Sequence, residues 1–81
     1  MDALTHTTVH IFVEIDRHRR EEVEFHTDRV TGLQIKQKAG VPLDYELARV
    51  EGHRRIAVAD DEVVEIRNGE HFIAVPSGNI S

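Results

Sequence analysis

The sequence predicts an α+β domain, a mixed sheet of four to five strands with one helix across one face. Three observations predict it. Residues 30–42 form the one stretch with helix start and stop signals at both ends. The segments on either side alternate apolar and polar residues with the period of a strand. The first of those segments is apolar on one face only, which leaves a face for a single helix to cover.

Length and composition set the bounds. Eighty-one residues make one domain with a small core. The absence of cysteine excludes a disulfide scaffold, a thiol nucleophile and thiolate metal sites. A net charge of −5 argues against nucleic acid or an anionic membrane as the main partner. No apolar run approaches a membrane span. The first eight residues are polar, with Asp2 the only charge, and lack the look of a secretory leader, so a cytoplasmic protein is expected.

In chain order, residues 1–7 show no period and read as a loose leader. Residues 8–16 put Val9, Ile11, Val13 and Ile15 on one face and His10, Phe12, Glu14 and Asp16 on the other, a half-buried strand. Residues 16–20 form a polar turn without glycine, so its type is left open. Residues 21–26 resume the alternation, with Val23 and Phe25 inward and Glu22 and Glu24 outward, and close an antiparallel hairpin. Its turn is basic while its strands are acidic outside. That pattern reads either as a recognition tip or, by default, as an ordinary solvated hairpin.

Residues 27–29 lead into the helix. Thr31 and Gln34 have capping-box spacing, and Val30 with Ile35 fits a hydrophobic staple. Gly40 stands where a left-handed C-cap belongs, and Pro42 forbids continuation. Lys36 and Lys38 suit the C-terminal half of the helix dipole. Leu33, Ile35 and Ala39, flanked by Val30 and Val41, give a narrow apolar stripe that covers one sheet face.

Strands then return. Residues 45–50 carry Leu47 as the core candidate, 51–53 turn the chain, and 54–59 are apolar only at Ile56 and Val58. Asp60-Asp61-Glu62 is an acidic turn before a strand over 63–66. Asn68-Gly69 marks the next turn. A last strand over 71–75 is closed by Pro76, and residues 77–81 form an aperiodic tail. The domain is therefore expected over residues 8–76. In the commonest closure of hairpin, helix and further strands, the last strand lies parallel to the first at the sheet centre. That closure is the β-grasp.

Several short motifs add a family resemblance. Glu14-Ile15-Asp16, Val30-Thr31-Gly32, Ala39-Gly40-Val41-Pro42, Asp44-Tyr45-Glu46-Leu47, Asp60-Asp61-Glu62 and Asn68-Gly69-Glu70 before Phe72, in this order and spacing, resemble bacterial multi-ubiquitin domains. The likeness runs from about Val9 to Pro76. It implies a ubiquitin-like β-grasp protein, often in tandem copies, encoded beside activating-enzyme, conjugating-enzyme and peptidase-like partners. These are thought to attach the modifier to a protein target through its C-terminus.

A modifier is a substrate of its pathway rather than an enzyme. Its tail must thread a narrow channel, where glycine suits best. Gly78 is the only glycine of this tail, and there is no terminal Gly-Gly; Asn79-Ile80-Ser81 follow. Either a peptidase exposes Gly78 or Asn79, or a different terminus is recognised, or the tail is only a linker.

A modifier also needs a docking surface, expected on the sheet face opposite the helix. Phe12 must face outward if its neighbours face the helix, and in a β-grasp either Phe72 or Ile73 joins it there. Alternation alone leaves the choice between those two open. His10 and Ala48 complete the expected patch. Phe12→Arg is then expected to weaken partner binding with almost no change in thermal stability.

The six histidines lack HxH or HExxH spacing, and the acidic turn lacks the alternating ligands and glycine of a calcium loop. No metal site and no cofactor are expected. No nucleophile, base and orienting group assemble, so catalysis is not expected. Three classes stay open: a conjugated modifier, a non-conjugated interaction module, and a sulfur carrier, the last most weakened by the missing Gly-Gly.

Overall fold

Alternation in the first segment becomes β1 (Val9–Ile15), and its return becomes β2 (Arg19–Phe25), paired antiparallel with Val9 opposite Phe25 and Ile15 opposite Arg19. The computed structural model describes residues 8–77. Beyond the hairpin, the chain forms β3 (Arg29–Thr31), α1 (Gly32–Ala39), β4 (Tyr45–Glu51), β5 (Arg54–Val58), β6 (Val63–Glu65) and β7 (Glu70–Pro76). Five strands make one mixed sheet in the order β2-β1-β7-β4-β5. The last strand thus enters the centre parallel to the first, with Val13 opposite Phe72, and antiparallel to β4.

The helix forms where its caps dictate. The Thr31 hydroxyl accepts from the Gln34 N–H at 3.1 Å, and the Gln34 side-chain oxygen accepts from the Thr31 N–H at 2.8 Å. Two orphan donors are satisfied at once. Gly40 caps the other end at φ 75°, with its N–H on the Gln37 carbonyl and the Val41 N–H on that of Lys36.

One further tie holds the helix start. The N–H groups of Gly32 and Leu33 donate to the carbonyls of Glu62 and Asp60 at 3.1 and 3.0 Å, so the acidic turn closes the free end of the helix. That turn is a clip rather than a merely solvated connection. It needs glycine at position 32, because a Cβ there would run into the Ala59 carbonyl oxygen.

Under the helix, Ile35 and Ala39 pack on Val9, Ile11, Val13, Ile15, Val23, Leu47, Val58, Phe72 and Ala74, with Phe25 and Tyr45 at the margin. Leu33 is only half-buried. Val30 and Val64 pair across a separate two-stranded ribbon, β3 with β6, and both enter the same core. Residues Arg29–Thr31 form a strand where the sequence predicts only a lead-in over 27–29. Three residues are too short to show a period, and the strand exists because β6 returns beside it.

Lys36 stands in the last turn of α1 as the dipole reading expects, and it is also buried, at 4% exposed. Its ammonium reaches Asp60 at 2.8 Å and the Leu43 carbonyl at 3.3 Å, which makes its burial tolerable. Its position does follow the helical period, since Gly32, Ile35, Lys36 and Ala39 are the buried positions of α1, and only its residue type hides it. On the same sheet face, beyond the helix, Arg49 lies over the Phe72 ring at 5.7 Å, approaches Glu70 and Glu51, and donates to the Glu65 carbonyl.

Candidate functional site

Strand alternation divides each strand between the helix side and an open face. On the open face stand His10, Phe12 and Glu14 from β1, His71, Ile73 and Val75 from β7, and Glu46, Ala48 and Val50 from β4. The choice left open by the sequence is settled by β7. Phe72 is 1% exposed in the core beneath the helix, and Ile73 takes the opposite side. Phe72 is therefore removed from the expected patch. Its alternation was undecidable because β7 is a central strand, apolar on both faces.

The remaining patch residues share the face without forming one cluster. Phe12 stacks on His71, directly opposite it in register, with ring centroids 5.2 Å apart and planes at 24°. From the other neighbour strand, the Arg20 guanidinium lies 5.4 Å from the Phe12 centroid. Phe12 is thus flanked by two polar, nitrogen-bearing groups and keeps part of its ring in water. His10 lies at its β2 side, with Nδ1 3.3 Å from Glu22, and its backbone N–H donates to the Asn68 side chain.

Ile73 and Ala48 are opposite each other across β7 and β4, and pack with Val75 and Val50. They are 5% and 1% exposed, so the surrounding side chains leave little of them to touch. Phe12, His10, His71 and Val50 keep surface on this face, beside the exposed Glu14 and Glu46. Sequence reasoning passed over His71 and Val50 as site residues. The register between parallel β1 and β7 is the signal that pairs His71 with Phe12, and a sequence does not display it.

The basic turn is the second exposed feature. Its residues Asp16 and Arg17 both have positive φ, 55° and 61°, and the His18 N–H donates to the Ile15 carbonyl at 3.0 Å. Positive φ at both central residues is the type I′ requirement, here met without glycine. The Asp16 N–H donates to the Ala74 carbonyl at 2.8 Å and ties the turn to the end of β7.

Gly78 and Asn79, expected to carry processing or conjugation, lie outside the described residues, as does the leader over residues 1–7. Ser77 follows directly on β7, its hydroxyl 3.4 Å from the Glu46 carboxylate. Among the described residues no group of three histidine, aspartate or glutamate side chains is placed to hold a metal ion. No described helix is long and apolar enough to cross a membrane. No family model, curated protein or solved structure matches the chain.

Proposed function

We propose that this chain is a ubiquitin-like β-grasp protein of the bacterial multi-ubiquitin domain kind, a modifier activated at its C-terminal tail and passed to a protein target. One observation carries the reading. The last strand runs parallel to the first in the middle of the sheet, one helix covers one face, and the chain leaves the domain from the end of that central strand. A tail issuing there is held at its root by two neighbouring strands.

The chemistry belongs to the tail and to partner enzymes. The terminal carboxylate attacks the α-phosphate of ATP and releases pyrophosphate, giving an acyl adenylate. An enzyme thiol displaces AMP to form a thioester, and a target amine or hydroxyl displaces the thiol to form an amide or ester. Trimming by a peptidase, with water adding across the peptide bond, would first expose Gly78 or Asn79. The domain itself contributes no catalytic group; it supplies recognition, centred on Phe12 with His10 and His71.

A non-conjugated interaction module is the second reading, favoured by the half-exposed Phe12 on the sheet face opposite the helix. A sulfur carrier is the weaker third. The test incubates the protein with the pathway's peptidase, activating enzyme, conjugating enzyme and ATP, and reads intact mass. The modifier reading expects a trimmed chain or a covalent adduct, blocked by Gly78→Asp. The absence of both trimming and adduct would refute the modifier reading.

A further inference from the structure

The basic tip is left unexplained by tail chemistry, yet the fold invests in it. Three arginines, Arg17, Arg19 and Arg20, stand against one aspartate between residues 16 and 20, so the tip carries +2 with His18 neutral. Since the whole chain is −5, the remainder carries −7. All four basic side chains are exposed. Among the described residues Arg19 approaches Glu21 at 3.9 Å and Arg20 lies on Phe12, while Arg17 has no ion-pair partner.

The backbone of the tip is tied down. Arg17 sits at φ 61°, where a residue with a Cβ is disfavoured and glycine or asparagine is the common choice. The cation is kept at a local cost in stability, a pattern found where display matters more than folding. Hydrogen bonds from Asp16 to Ala74 and from His18 to Ile15 fix the loop backbone, so the ordering left for binding is that of the side chains.

The surroundings favour a peptide. Three shallow clefts of about 240, 290 and 250 Å³ ring the tip, and His18 lines each of them. One runs along Val75 and Pro76, another along Pro42 and Tyr45, giving apolar walls beside the cations. A long polyanion would also run onto Glu22 and Glu24, both exposed on β2. A short segment seated against Val75 and Pro76, or against Pro42 and Tyr45, meets only Asp16 among the acidic residues lining those two clefts; the third cleft carries Glu14.

We infer that the β1–β2 tip docks a short acidic peptide segment of a partner protein, gripped by Arg17, Arg19 and His18 beside the end of β7. Under the proposed function such a partner sits next to the root of the tail; the docking itself does not depend on that reading.

The test is fluorescence anisotropy of a labelled hexaglutamate peptide at low ionic strength, with hexauridylate as a nucleic-acid comparator. Saturable hexaglutamate binding is expected, weakening with added salt. Arg17→Glu/Arg19→Glu should weaken it about tenfold. Arg17→Gly relieves the backbone and so should fold at least as well as the parent, yet bind about threefold more weakly, a loss that misfolding does not explain. No saturable binding, unchanged affinity in both variants, or tighter binding of hexauridylate would overturn the inference. No pathway enzyme is present, so a failed conjugation assay and a failed peptide titration refute different statements.

Discussion

Asp60 and Lys36 form one ion pair, but removing either partner should have unequal costs. The Lys36 side chain is 5% exposed and that of Asp60 is 51% exposed, so the pair has a dry end and a wet end. Asp60→Asn leaves the ammonium in a dry site with only the Leu43 carbonyl at 3.3 Å and a neutral amide. Breaking a fully buried pair this way costs about 3–5 kcal/mol. Water reaches Asp60 from one side, which should bring the cost down to about 2 kcal/mol. For a domain of this size that lowers Tm by about 10 °C.

Lys36→Met removes the buried charge instead, keeps most of the aliphatic stem, and leaves a carboxylate that water already solvates. Its cost should stay below about 0.5 kcal/mol. The double variant should then be no less stable than Lys36→Met alone, because the orphaned ammonium is gone. Urea denaturation at neutral pH, fitted for the free energy and its slope, measures all three. A loss for Lys36→Met equal to or larger than that for Asp60→Asn would refute the reasoning and would mean that the pair itself clips the helix to its turn.

Three other outcomes are expected. Gly32→Ala should cost about 2–3 kcal/mol in the same urea titration, since its Cβ meets the Ala59 carbonyl and the Val58 side chain and displaces the Gly32 bond to Glu62. Arg17→Gly should stabilise by about 0.5–1 kcal/mol, read as a rise in Tm, because it relieves a left-handed residue carrying a Cβ. Phe12→Arg should cost about 1 kcal/mol or less, the worth of its stacking on His71, while weakening partner capture by the pathway's enzymes in a pull-down; a loss above about 3 kcal/mol would make Phe12 a core residue.

How legible the fold was depends on how local its causes are. The helix limits were written in Thr31, Gln34 and Gly40, because caps act over three or four residues and need nothing from elsewhere. The one-sided β1 was equally plain, since Val9, Ile11, Val13 and Ile15 alternate without a break. What stayed hidden depends on neighbours distant in sequence. β3 exists through its pairing with β6. Lys36 is buried because Asp60 and the Leu43 carbonyl converge on it. Phe72 and Ile73 could not be separated in a strand apolar on both sides, and the Phe12–His71 stack follows from a register that only the folded sheet sets. The turn over residues 16–20 was legible, but its type was not, because its left-handed residues are not the glycine or asparagine that announce such a turn.

Activation of the tail carboxylate is the claim on which the functional reading stands. ATP–pyrophosphate exchange by the pathway's activating enzyme tests it directly, using the full chain and chains ending at Gly78 or Asn79. Exchange that requires this protein and saturates with its concentration, for at least one of the three, is the predicted result. No exchange above the enzyme alone with any of them would contradict it.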